Sequence, residues 1–519
     1  MRRLAAMGVI VAVMKIATDP AANHFAKDDN RSLGNEFGAA LVEKNAVCCF
    51  IIVVILLAFS ATSVMARVDS PEDSSLIASS PNVTAGRAVT FNNRAYIVVD
   101  DGIHGEELWS TDGTDAGTFL VRDINPGPAS SRIFGLTVVG SVLFFTADDG
   151  THGWELWRSD GTPQGTMLVK DIAPGADSSL PSDFASVNGT LYFSATRSST
   201  GRELWKSDGS AANTVLVADL TPGSGGSDPM EITAAGGNIF FSATAPAGNK
   251  RRSAFIGREL WKTDGTPAGT VLVRDIWPGF GGSAPSNLVA LNNLLFFNAS
   301  TSSLGNELWR SDGTNAGTVL VKDLTPGSTS SSFGHMRTHN GQLFFEANGQ
   351  LWKSDGTTQG TVPATDFAPG LPAGRSIFAD FAILGSRIVF TAFSEDGTEL
   401  WSTNGTAGST QFLRLMIPNG EQFVEIQRLF LTTGDRFYFN AFDPATGTEL
   451  CATDGTPAGT RLVRDFFPDQ SNSSVVPLYL TGVNGAAFLS ADEGISGREL
   501  WISRGVPGDP RIVHDFLRD

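Results

Sequence analysis

From about residue 79 to the end of the chain, one sequence unit recurs. A clear copy runs Gly153-Trp-Glu-Leu-Trp157-Arg-Ser-Asp160-Gly-Thr162-Pro-Gln-Gly165-Thr166 and continues through Asp171 to Pro174-Gly175. Aligned on the second Trp, the copies give the column Trp109, Trp157, Trp205, Trp261, Trp309, Trp352, Trp401, Cys451 and Trp501, spaced by 43 to 56 residues with a mean of 49. Nine copies at this spacing describe an array in which each unit buries its apolar surface against the next. The array replaces the roughly three ordinary domains that a chain of 519 residues would suggest.

Each copy reads as four short strands. Around Trp205 these are Phe184–Val187, Leu191–Ala195, Glu203–Lys206 and Val215–Asp219. Asn188-Gly189 between the first two is a hairpin signal, because both residues tolerate positive φ. The second strand carries an aromatic doublet in most copies, such as Phe144-Phe145, Tyr192-Phe193 and Phe296-Phe297. Successive strand residues face opposite ways, so both sheet faces are apolar and both need covering. No segment after residue 66 has helical periodicity, so sheets must cover sheets. The expected fold is all-β: a β-propeller of nine four-stranded repeats, with nine blades or eight plus a degenerate unit. The sixth unit is about five residues short before Trp352, and the ninth lacks the Asp-Gly-Thr turn.

Residues 46–66 form an uncharged apolar run, AVCCFIIVVILLAFSATSVMA. It reads as a signal peptide cleaved after Ala66, or as a membrane anchor. Either places the repeats outside the cytoplasm, secreted or anchored, with membrane contact only through residues 46–66. Residues 1–45 read as a disordered extension or as a mis-assigned start. Residues 67–519 hold 31 Lys and Arg against 49 Asp and Glu, a net charge of −18. Such acidity argues against nucleic acid as a partner. Cys451 stands alone beyond the apolar run, so no internal disulfide or four-ligand zinc site is expected.

Glu107-Leu-Trp-Ser-Thr-Asp-Gly-Thr114 and Glu307-Leu-Trp-Arg-Ser-Asp-Gly-Thr314 resemble the motif of the ELWxxDGT repeat proteins. The resemblance covers residues 79–519 and departs from the pattern at Asn404, Cys451 and Arg504. It implies a secreted or surface-associated repeat protein. It implies no reaction, since the family is defined by its repeat.

The recurring polar residues have architectural readings. Asp112, Asp160, Asp208, Asp264, Asp312, Asp355 and Asp454 open the Asp-Gly-Thr turn. Each reads as an Asx-turn residue, with calcium the sharper alternative. The turn brings one carboxylate where calcium loops bring several, so no other cofactor and no firm metal site is expected. A second Asp column (Asp123, Asp171, Asp219, Asp275, Asp323, Asp366, Asp465, Asp515) is expected to join a structural network with the preceding Lys or Arg or with the Glu column of a neighbouring blade, or to ring the channel. The Glu column from Glu107 to Glu499 repeats too evenly for catalysis. His335 and His339, four apart on a strand, share a face and read as exposed polar residues. Lys250, Arg251 and Arg252, in an insertion before Trp261, form a candidate contact loop. Asn82, Asn188, Asn298, Asn404 and Asn472 stand in glycosylation sequons.

No catalytic residue stands out in these patterns. The expected function is a non-catalytic extracytoplasmic scaffold for binding or adhesion, with a glycan or surface protein as partner. Two alternatives are a propeller hydrolase or lyase with its site in divergent loops, and a structural matrix protein. A recess with a few polar residues that break the repeat symmetry would favour the enzyme.

Overall fold

A computed structural model describes residues 82–246, 255–279, 281–364, 376–406, 408–418, 431–443, 445–466, 478–493 and 498–516. The expectations for residues 1–45, for 46–66 with cleavage at Ala66, for Lys250, Arg251 and Arg252, and for Asp366 and Asn472 lie outside the described residues.

The described residues form thirty-six strands and no helix. They make nine four-stranded antiparallel blades spanning 82–122, 134–170, 182–218, 230–274, 286–322, 333–363, 376–418, 431–464 and 478–514. Within each blade the strands pair in chain order. The first strands of successive blades lie side by side around the axis, and that of blade 9 returns to that of blade 1. The molecule is thus a closed nine-bladed β-propeller, with first strands innermost and fourth strands outermost. The shortened sixth unit and the altered ninth unit are both full blades.

Apolar packing explains the closure. Among the described residues there are nine buried clusters, and each joins two adjacent blades. In one, Tyr96, Val98 and Leu108 of blade 1 meet Leu143, Phe145 and Trp157 of blade 2. In the next, Phe144 and Leu156 of blade 2 meet Phe193 and Trp205 of blade 3. The aromatic doublet is therefore divided, Phe145 facing back and Phe144 facing forward, both buried. The ninth cluster closes the ring, packing Ile97, Val99 and Trp109 against Phe488, Leu500 and Phe516.

The Trp column needs one correction. Trp109, Trp157, Trp205, Trp261, Trp309 and Trp501 are buried between blades. Trp352 and Trp401 are only half-buried. Cys451 is fully buried and takes the Trp place between blades 7 and 8.

Among the described residues, each blade takes its four strands from one stretch of chain. Blade 1 and blade 9 meet through packing, one parallel backbone pairing of Asn82 with Arg498, and a few polar contacts. The Thr90 hydroxyl donates to the Gly482 carbonyl at 2.7 Å, and Arg511 Nη2 donates to the Gly113 carbonyl at 3.0 Å. His514 Nδ1 lies 2.6 Å from the Asp115 carboxylate.

Candidate functional site

The repeated polar columns are structural. In the turn after the third strand, Asp160 Oδ1 accepts the Thr162 amide at 2.9 Å and the Thr162 hydroxyl at 2.7 Å. Asp112, Asp208, Asp264, Asp312, Asp355 and Asp454 do the same with the Thr or Ser two residues on. The Thr hydroxyl bond holds the carboxyls of Asp112, Asp160, Asp264 and Asp312 below the usual range. Asn404 makes the same bonds with its amide oxygen, so it preserves the turn. In blade 9, Asp509 replaces the missing Asp from the other end of the turn, accepting the Ser503 hydroxyl and the Arg504 amide. Among the described residues, no group of three or more His, Cys, Asp or Glu converges on a point that could hold a metal.

The Glu column anchors the connection to the next blade. Glu155 accepts the amides of Ile172, Ala173 and Ser179 and the Ser179 hydroxyl. Glu259 repeats the pattern at the same offsets, and Glu203 repeats it with the amides of Leu220 and Ser227 and the Ser227 hydroxyl. Burial raises these carboxyls, and it pushes Glu107, Glu203 and Glu499 up to about 7.

Two further expectations fail. The Lys and Arg before the second Asp column do not serve that Asp. Arg122, Lys170, Arg274, Lys322 and Arg464 each donate to a backbone carbonyl of the following blade, at 2.5 to 2.8 Å. The Asp column follows the outermost strand and so does not ring the channel; Asp123 and Asp171 cap the next turn. Asn298 is 4% exposed, with its amide bonded to Ser286 and Asn306, so it is closed to a glycan in the folded ring. His335 and His339 both lie on the inner strand of blade 6 (Phe333–His339), His335 exposed as expected and His339 half-buried beside Phe344.

The repeat symmetry breaks on the inner strand of blade 4, at a bulge that the inner strands of blades 2 to 5 share. Each strand bulges just after its first residue, between Phe134 and Thr137 in blade 2 and between Met230 and Thr233 in blade 4. The residue after that first position has left-handed backbone: Gly135, Asp183, Glu231 and Asn287, with φ of 72°, 55°, 60° and 55°. Glycine takes this conformation freely, and Asp and Asn tolerate it, but Glu is strained there. Strain held at one position directs attention to what the position does.

Blade 3 forms a closed polar network at this point. Asp183 Oδ2 accepts the hydroxyls of Ser182 at 2.6 Å and Ser194 at 3.0 Å. Arg202 Nη2 donates to the same two hydroxyls at 2.6 and 2.7 Å and lies 4.0 Å from the carboxylate. Blade 4 keeps the Ser and the Arg as Ser242 and Arg258 but substitutes Met230 for Ser182 and Glu231 for Asp183. Glu231 turns to the next blade, where Oε2 accepts the Leu288 amide at 3.2 Å. Arg258 Nη1 is held by the carbonyls of Asp228 and Ser242 at 2.7 and 3.0 Å. The Ser242 hydroxyl is buried without a partner.

The result is a recess of about 600 Å³ at the end of the channel where the inner strands begin. Asp183, Phe184, Met230, Glu231, Ser242 and Arg258 line it, with the start of the blade 5 inner strand opposite. A second recess, about 480 Å³, lies between blades 6, 7 and 8 beside Arg337, whose Nε is committed to the Phe381 carbonyl. Sequence reasoning passed over Asp183, Glu231, Ser242 and Arg258. The signal was the change from Ser182-Asp183 to Met230-Glu231 at equal repeat positions.

No family model matches the chain, and no curated protein matches it. Solved structures do. A puromycin hydrolase matches at 14% identity and TM-score 0.38, over 70% of this chain and 58% of its own. A Mycobacterium tuberculosis puromycin-hydrolyzing peptidase matches at 10% identity and TM-score 0.38, over 69% and 58%. A prolyl endopeptidase matches at 9% identity and TM-score 0.38, over 72% and 54%. The chain thus spans little more than half the length of each. The expectation of a non-catalytic binding or adhesion scaffold is corrected by this comparison: the matched structures are named as hydrolases and peptidases, in line with the propeller-hydrolase alternative. The fold rests on the strand pairing and not on this likeness.

Proposed function

We propose that this chain is a hydrolase built on a nine-bladed propeller, with its substrate bound in the recess between blades 3, 4 and 5. The supporting observation is the opened network of blade 4, a symmetry-breaking recess holding two carboxylates, a guanidinium and an unpartnered hydroxyl. Hydrolysis needs a group that takes a proton from water and returns it to the leaving group. Glu231 and Asp183 are the carboxylates placed for that exchange, and Arg258 is the charge that orients a polar substrate. The test is turnover by the full chain on a panel of chromogenic amides, esters and glycosides. One substrate class is expected to turn over, with kcat/KM falling at least about 100-fold in Glu231→Gln, the range of general acid–base loss. No turnover, or turnover equal in Glu231→Gln, overturns the proposal.

The same reading places the ring outside the cytoplasm, supported by the uncharged run 46–66, and in the ELWxxDGT repeat family, supported by the recurring motif. Among the described residues no helix is long and apolar enough to cross a membrane. N-terminal sequencing of the exported chain checks the location, with a start at Arg67 expected.

A further inference from the structure

We infer that the recess between blades 3, 4 and 5 takes a short peptide by its free C-terminal carboxylate, received by Arg258 and Ser242. The inference rests on the reading of this recess as a substrate site. Blade 3 supplies the template. There the Ser194 hydroxyl and Arg202 surround a carboxylate that the chain itself provides, Asp183. Blade 4 repeats the receiving groups, Ser242 and Arg258, and withholds the carboxylate. Glu231 occupies the equivalent position with the same left-handed backbone, but its carboxylate is bonded to Leu288 in blade 5. A recess stands in place of the closed network.

The vacancy has the right chemistry on both sides. Arg258 spends Nη1 on two carbonyls. Its other guanidinium nitrogens have no partner among the described residues, and they match a carboxylate in geometry. Ser242 is 1% exposed and its hydroxyl has no acceptor. A buried hydroxyl left unpaired is costly, and a bound acceptor would recover that cost. The lining also carries two carboxylates, since Asp183 and Glu231 face the same space. A simple anion would meet two carboxylates there. A zwitterion, with a carboxylate at Arg258 and an ammonium toward Glu231 and Asp183, satisfies both signs. The volume lies within the range of small-ligand sites, about 300–1,000 Å³, and Met230 and Phe184 supply apolar wall.

The test is calorimetric titration of the full chain with trialanine, trialanine C-terminal amide and N-acetyl-trialanine. Trialanine is expected to bind, the amide at least tenfold more weakly, and the acetylated peptide more weakly than the parent. Arg258→Ala is expected to lose at least tenfold. Ser242→Ala is expected to lose affinity without a lower Tm, since it deletes an unpaired hydroxyl. Ser490→Ala removes a similar unpaired hydroxyl in blade 9, outside the recess, and is expected to bind as the parent does. Equal binding of acid and amide, unchanged binding by both Arg258→Ala and Ser242→Ala, or no binding at millimolar peptide overturns the inference. Carboxylate-dependent binding without turnover would sink the hydrolase reading and leave this one standing. Glu231-dependent turnover with equal affinity for acid and amide would do the reverse.

Discussion

At the scale of the residue, two carboxyl columns pull the pH dependence of stability in opposite directions. Burial pushes Glu107, Glu203 and Glu499 up to about 7 from 4.5, so the folded ring holds protons there that the unfolded chain has released. Their contribution is complete below about pH 4.5 and is lost as pH rises through 7. The turn carboxyls of Asp112, Asp160, Asp264 and Asp312 are held below 3.8, so their contribution is present above that value and is lost as pH falls. Stability by urea unfolding is therefore expected to peak near pH 4–5 and to decline toward pH 7.5. Each extra proton held gives a slope of about 1.4 kcal/mol per pH unit. Glu203→Gln removes one titrating group and should flatten the decline; an unchanged slope would show that Glu203 is ionised in the fold. Cys451 offers a second check at this scale. Burial pushes its thiol up to about 12, and thiolate is the reactive form. A disulfide-exchange reagent is expected to leave Cys451 untouched in the folded ring and to label it in denaturant. Prompt labelling of folded protein would mean that the interface between blades 7 and 8 opens.

At the scale of the element, the blade interface is where the aromatic columns act. Trp309 is 6% exposed and packs with Phe240, Leu260 and Phe297 across blades 4 and 5. Trp309→Ala is expected to cost about 3–5 kcal/mol, the range for a large aromatic removed from a packed core. Trp352 is half-buried, and blade 6 is short where it sits. Trp352→Ala is expected to cost less than half as much. Denaturant unfolding of both variants measures the difference, and equal losses would show that the column is not graded by burial. This grading shows what could be read from sequence. The period, the doublets and the Asp-Gly-Thr turns fix four strands per blade and two apolar faces, because the period recurs nine times and the other two signals in six or more units. The recess could not be read that way. It depends on an inner-strand bulge with no turn motif of its own, and on whether Asp183 or Glu231 folds back onto its own blade. Side-chain direction at a bulge is set by neighbouring blades, which lie about 48 residues away in sequence. The basic column failed for the same reason: Arg122 and Lys170 reach carbonyls more than 40 residues on, not the Asp beside them.

At the scale of the whole molecule, the ring is closed by the same kind of interface that joins every other pair of blades. The cluster between blades 9 and 1 is apolar like the other eight, and among the described residues each blade takes its four strands from one stretch of chain. Asn82 and Arg498 pair directly, so the two ends of the ring adjoin. A ring of self-contained blades has no privileged opening. Cutting it at any connector and joining its ends should therefore preserve all nine interfaces, since permutation succeeds where exposed connections are broken and no buried contact is lost. The connector between blades 1 and 2 is suitable: Gly127 has positive φ, and a Cβ there would meet nothing within 4 Å. A permutant beginning at Pro128, with residue 519 linked to residue 82 by a flexible segment, is expected to unfold in one transition with Tm within about 2 °C of the parent, a change on the order of 1–2 kcal/mol. Deleting blade 9 (residues 478–519) is a different operation. It leaves the apolar faces of Trp109 and Ile97 in blade 1 and of Tyr438 and Leu450 in blade 8 without cover. That variant should aggregate or lose its cooperative transition, because large exposed apolar surface drives association. A soluble, cooperative eight-blade protein would show that closure is adjustable and that the ninth blade is dispensable. A permutant that fails to fold would show that the interface between blades 9 and 1 depends on being formed last.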